Sequence, residues 1–342
     1  MSADRKVHFV GTMPQFESPE DALRWQIAEL SEDVRRLSGG ETGARLAWFV
    51  PMVKELKSSG KIRTVRDGDW TDYEDTDRLA ARRGVRLTAE DIPLQLARWA
   101  REELRVLDEI GTQATPARPL QIGVPGYLDM ALFTFGPAGV PRHGRAFLDA
   151  VDRQIAEIAA LAGDRVVFQL ETPAALIAVA TAPKALRPMV ADALSRMVLR
   201  QVARAPAGTR FGLHLCLGDM GHRAKLHLRT AEPLVALANA LVRRWPRDRA
   251  LEFVHLPFSG GERPPSTEPG FYEPLRNLVA GDSVIAAGIA HEDQPESEQL
   301  QVRELVESAI GRPVDIATAC GLGRRTPARA HAAVDRMRAL LA

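Results

Sequence analysis

Eight apolar runs with strand character, at 7–11, 36–40, 120–124, 165–170, 210–215, 251–256, 283–290 and 314–319, alternate along this chain with stretches of helical period. The helical stretches fall at 19–34, 92–110, 145–161, 184–202, 233–244, 297–310 and 327–341, and several open on start signals such as Ser18-Pro19-Glu20-Asp21 and Thr326-Pro327. Strand and helix in alternation build a parallel sheet, because each helix carries the chain back along the sheet face before the next strand begins. Eight strands with a helix at the carboxyl end predict the α/β class, and within it a single (β/α)8 TIM barrel spanning residues 1–342. At 342 residues and 45% hydrophobic content, the chain has material for one such core.

Two segments interrupt the repeat. An insertion at 57–90, after the second strand, contains Lys61–Asp67 and Gly84–Thr88, whose alternation predicts a small β-hairpin over the barrel mouth. A Gly/Pro-rich loop at 259–270, followed by Phe271 and Tyr272, reads equally as a lid or as an ordinary surface loop.

A net charge of +1 gives no electrostatic footprint for nucleic acid or for an acidic membrane surface. No apolar stretch approaches the roughly 20 residues of a membrane span, and Met1–His8 lacks the apolar core of a signal peptide, so a cytoplasmic protein is expected. There its two cysteines, Cys216 and Cys320, would stay reduced rather than form a disulfide.

Barrel active sites assemble at the carboxyl ends of the strands. That rim carries Thr12 after strand one, Glu41 after strand two, Glu171 on strand four, His214 and Cys216 on strand five, His255 on strand six, His291 on strand seven and Cys320 on strand eight. His214 and Cys216 are two apart and so face the same side of a strand. With Cys320 and one donor from the sixth strand they predict a Zn2+ site. The sixth-strand donor is His255 or Glu252, which are three apart and face opposite sides; His255, nearer the carboxyl end, is the preferred reading. His222 and His227 read as ordinary histidines. His291 reads as an active-site group or a capping residue, and Glu41 and Glu171 as substrate-facing acids or as residues closing a turn and a strand end.

The Gly11-Thr-Met-Pro14 turn, Gly40-Glu41, Gln169-Leu-Glu-Thr-Pro-Ala174, His214-Leu-Cys216, Gly288-Ile-Ala-His291 and Ala319-Cys-Gly-Leu322 together resemble the catalytic barrel of the cobalamin-independent methionine synthases. These belong to the superfamily of uroporphyrinogen decarboxylase and the zinc-dependent epoxyalkane:coenzyme M transferases. The resemblance covers nearly the whole chain, and its HxC and Cys-Gly-Leu elements are the specific ones. It implies zinc ligation by His214, Cys216 and Cys320, with His255 standing where the family has a glutamate ligand. It implies that Thr12, Glu41 and Glu171 hold an amino acid thiol, the acids facing its ammonium, and that His291 lies near the methyl-transfer site.

The activity so implied is zinc-dependent transfer of an alkyl group, most simply methyl, to a thiol activated as its thiolate, a step of the kind used in methionine biosynthesis. Glu171 would orient the thiol and His291 protonate the leaving group. The implied partners are a small-molecule thiol, an alkyl donor such as a methylated folate or methylcobalamin, and a second copy in a homodimer. Three alternatives stand beside this one: attack of the thiolate on a non-methyl electrophile such as an epoxide, non-catalytic binding of a thiol or metal, and a porphyrinogen-type decarboxylation, disfavoured because Gly11-Thr-Met-Pro14 stands where an arginine cluster would be needed.

Overall fold

The computed structural model describes residues 4–110, 118–323 and 325–342. Its centre is a six-stranded, all-parallel sheet in the order β3-β4-β5-β6-β7-β8, formed by Leu120–Val124, Val166–Glu171, Arg210–His214, Ala250–Pro257, Val284–Gly288 and Asp315–Ala317. These match six of the eight expected strands. A separate antiparallel pair, β1 (Ile62–Arg66) and β2 (Arg78–Ala81), lies in the insertion.

The helices are α1 (Pro19–Trp25), α2 (Phe49–Ser58), α3 (Leu96–Ile110), α4 (Tyr127–Phe135), α5 (Gly139–Ala162), α6 (Pro173–Thr181), α7 (Arg187–Arg204), α8 (Glu232–Arg243), α9 (Pro269–Tyr272), α10 (Glu296–Ile310) and α11 (Pro327–Ala339). Ser18 and Thr326 cap α1 and α11 by accepting from the Asp21 and Arg329 amides, as the start signals predict. No helix of the described residues is long and apolar enough to cross a membrane.

The eight-stranded barrel is not realised as eight strands. The segments at 7–11 and 36–40 make only isolated parallel bridges, Val7 to Ile316 and Val34, and Leu37 to Leu120. These bridges connect β8 at one edge of the sheet to β3 at the other. Buried glutamine side chains do the work of missing ladder partners. Gln121 Nε2 donates to Phe9 O (2.6 Å), Gln169 Nε2 donates to Val10 O (2.6 Å), and Gln26 pairs both with Ser38 N (3.1 Å) and with Ser38 O (2.6 Å). Every buried peptide group needs a partner, and an amide side chain can replace one that a neighbouring strand does not supply. Gly11 and Gly40, at φ +153° and +66°, then turn both segments out of extended geometry.

The expected hairpin partner at 84–88 is also displaced. Ile62 pairs with Ala81, and Thr88 instead forms a reciprocal cap with Asp91 that opens a short helical turn. The intervening loop, 67–77, is tied together by Trp70 N to Asp75 O (2.7 Å) and Trp70 Nε1 to Asp77 Oδ2 (3.1 Å). The 259–270 loop is pinned where it lies. His291 Nε2 donates to Gly261 O, Gln294 Nε2 to Pro265 O and the Tyr272 hydroxyl to Ser266 O.

Beneath the rim, Phe168, Phe211 and Phe253 are fully buried, with Phe168 and Phe211 in register and their ring centroids 5.7 Å apart. Gly212 leaves the space that the Phe253 ring fills, since a Cβ there would lie 2.1 Å from that ring.

Candidate metal centre

β5 ends at His214, and Cys216 follows two residues later on the same side. Gly218, at φ +82°, turns the chain so that its amide donates to Cys216 Sγ at 3.2 Å. Cys320 follows β8 in a tight turn in which the Thr318 hydroxyl donates to Cys320 O. The strands are not neighbours, yet the sheet brings the two sulfurs to 4.0 Å and Cys320 Sγ to 3.7 Å from His214 Nε2. All three donor atoms lie within 4.8 Å of one another.

Those separations suit a tetrahedral soft-metal site. Bonds of about 2.3 Å to sulfur and about 2.0–2.1 Å to nitrogen place two sulfurs about 3.8 Å apart and a sulfur and nitrogen about 3.6 Å apart. Hydrogen bonding to Cys216, burial and the Cys216 charge push the Cys320 thiol well up. A divalent cation that displaces thiol protons relieves that crowding.

His255 is in register with His214 on the adjacent strand, and it does not join the three donors. Its Nε2 lies 2.9 Å from Thr318 O, which can only accept, so Nε2 carries the proton. Burial pulls the pKa of His255 down to about 4, so the ring is neutral and its Nδ1 is an acceptor. His214 Nδ1, 2.7 Å away, must therefore donate to it. That fixes the tautomer of His214 and leaves its Nε2 lone pair directed at the sulfurs. The expectation of His255 as a fourth donor is not met by this geometry: both of its nitrogens are engaged, and it fixes the His214 ring instead. Glu252 is no substitute, since it pairs with Arg210 and lies 3.6 Å from Arg36.

The three donors open onto a cavity of about 270 Å³, which Thr12, Glu41 and Glu171 also line. The Thr12 hydroxyl donates to Glu41 Oε2 at 3.4 Å, and Met13 N donates to Glu41 O, joining the first two rim segments. Glu171 is in register with His214; burial, then Glu41 and Asp129, raise its carboxyl to about 8. His291 lies apart. Its Nε2 donates to Gly261 O and its Nδ1 accepts from Asp293 N, so both nitrogens serve the backbone of neighbouring loops and it does not line the cavity. His227 pairs with Glu262 and His222 faces Asp219, and neither histidine joins the three donors.

Among the cavity residues that went unnoticed in the sequence are Asp129 and Tyr73. Asp129, in the first turn of α4, accepts from Ala174 N at the start of α6, and burial raises its carboxyl to about 7. Tyr73, in the hairpin loop, accepts from Met220 N and donates to Arg223 O, lying over the Gly218 turn beside Cys216. The only signal for it is a pair of aromatic residues, Trp70 and Tyr73, within the acid-rich run Asp67–Asp77.

No protein-family model matches the sequence, and no curated protein matches it. Solved structures do. A B12-independent methionine synthase from Shewanella sp. W3-18-1, in complex with selenomethionine, superposes with a TM-score of 0.57 at 13% identity, covering 100% of this chain and 96% of that one. A methyltransferase from Methanosarcina mazei gives 0.52 at 12% identity, covering 99% and 95%. At such identities the likeness is one of architecture: along its full length, this chain is similar in fold to a B12-independent methionine synthase and to a methyltransferase.

Proposed function

We propose that this chain is a methyltransferase that delivers a methyl group to the sulfur of a small thiol, with zinc held by His214, Cys216 and Cys320. The observation that carries this reading is the set of three soft donors at tetrahedral spacing, opening onto an acid-lined cavity. The fold shared with a methionine synthase and a methyltransferase supports it. The eight-stranded barrel belongs to the same reading, with 7–11 and 36–40 as its irregular first two strands, and the reducing cytoplasm is the compartment that suits its thiols.

Three protein donors leave one position of a tetrahedron for substrate, the arrangement of catalytic rather than structural sites. Zinc bound there supplies Lewis acidity that makes a thiolate available at neutral pH. The protein does the positioning. Glu171 and Glu41, with the Thr12 hydroxyl, bind the ammonium of an amino acid thiol and align its sulfur with the donors. His255 holds the His214 ring in place, and Tyr73 covers the Cys216 side of the cavity and limits water. His291 has no part in this scheme, since its ring is committed to loop backbone.

Metal analysis tests the assignment first. Purified protein is expected to carry one zinc per chain, and Cys320→Ser to lose both zinc and methyl transfer to thiols. Full zinc content in both Cys320→Ser and Cys216→Ser would overturn the ligand set.

A further inference from the structure

Part of the cavity wall is aromatic. Trp99 and Trp48 lie 6.2 Å apart at 75°, Trp48 and Phe49 6.0 Å apart at 79°, and Phe49 meets Trp70 at 5.5 Å and Phe133 at 6.1 Å. All five rings line the cavity that holds Cys216 and Cys320. Their near-perpendicular packing makes corners rather than a filled stack. Trp70 and Tyr73 share one loop, so the aromatic wall runs up to the thiols.

The charges in this cavity are one-sided. Glu171 and Asp129 lie within it; burial raises both carboxyls, and Glu41 and Asp129 raise that of Glu171 further. Among the described residues the one Lys or Arg side chain in the lining is Arg45, whose guanidinium pairs with Glu102 and Glu103 and covers the Trp99 ring at 5.3 Å, leaving Trp48 and Phe49 as the rings it does not cover. Aromatic faces beside carboxylates are a setting for a cation, and most of all for one whose charge is spread over methyl groups. A folate tail carries carboxylates, and the described residues of the lining offer them no uncommitted ammonium or guanidinium. At about 270 Å³ the cavity also falls below the range of roughly 300–1,000 Å³ typical of drug-sized ligands, far too small for a cobalamin.

We propose that the methyl donor of this protein is a small methylated onium cation, a sulfonium or quaternary ammonium, seated against Trp48 and Phe49. This rests on the methyltransferase reading and names its donor class. The step balances without a further reactant: the thiolate sulfur forms a bond to the methyl carbon, and the bond from that carbon to the onium centre breaks. Its electron pair returns to the heteroatom, leaving a neutral thioether or tertiary amine, while the thiol proton goes to solvent.

Binding tests this apart from turnover. Calorimetric titration of the protein as purified with choline and with trimethylsulfonium is expected to show saturable binding, about tenfold tighter than for the neutral tert-butyl analogue of choline. Equal affinity for that analogue would overturn the inference, as would binding of methyltetrahydrofolate with none of either cation. Trp48→Leu should weaken cation binding about tenfold and Trp48→Phe should restore most of it; unchanged binding in folded Trp48→Leu would also overturn it. Cation binding without methyl transfer to any thiol would uphold this site and overturn the methyltransferase reading instead. The preference between the two cations separates sulfonium from ammonium.

Discussion

His255 shows how one hydrogen bond can decide a residue's role. Because Thr318 O can only accept, the proton sits on Nε2, and the ring faces His214 as an acceptor rather than facing a metal as a ligand. His255→Phe is therefore expected to keep the three donors and lower zinc affinity by about 10- to 100-fold, read by competition with a chelator. Unchanged affinity would show that His214 needs no such support. The sulfurs set the pH response. Since Cys216 and burial raise the Cys320 thiol, that thiol holds its proton through neutral pH in the metal-free site, and binding must displace it. Zinc affinity should accordingly rise with pH, by about tenfold per unit for each proton released, and a flat profile from pH 6 to 8 would contradict thiolate ligation. At this scale much was legible. The HxC spacing and the lone second cysteine identified the three donors, whereas nothing in the spacing of His255 reveals that a carbonyl from another strand occupies its outer nitrogen.

Among elements, β5 and β6 hold the site because a glycine lets them approach. Gly212 lies two residues before His214, and its missing side chain is the room that Phe253 takes up. Gly212→Ala should destabilise the protein by about 1–3 kcal/mol in urea unfolding, and a neutral result would mean that the Phe253 ring moves freely. Phe253 has little freedom to do so, with Arg36 stacked 4.4 Å above its ring and His8 4.6 Å away. The six ladder strands were readable because short apolar runs there are bounded by helical stretches and turn residues. The hairpin was only half readable. Its first strand fell where alternation placed it, but Thr88 served a helical cap that outweighed the apparent strand at 84–88, and pairing moved to Arg78–Ala81.

Across the whole molecule, the sheet's two edges communicate through segments held by side chains. Gln26 alone satisfies both the amide and the carbonyl of Ser38, and it is fully buried. Gln26→Leu keeps the volume and strands both groups, so a loss of about 1–3 kcal/mol is expected from denaturant midpoints. A loss below about 0.5 kcal/mol would mean that the segment finds other partners. Sequence periodicity could not show this, because it registers apolar spacing and is blind to a glutamine that replaces a strand. The sulfurs of Cys216 and Cys320 belong to positions 104 residues apart, just past the ends of strands with two others between them. An ion gripping both would act as a cross-link closing a very large loop, the kind of tether whose entropic effect on the unfolded chain grows with the length enclosed. The atom that serves the chemistry would then also fasten the second half of the fold to itself.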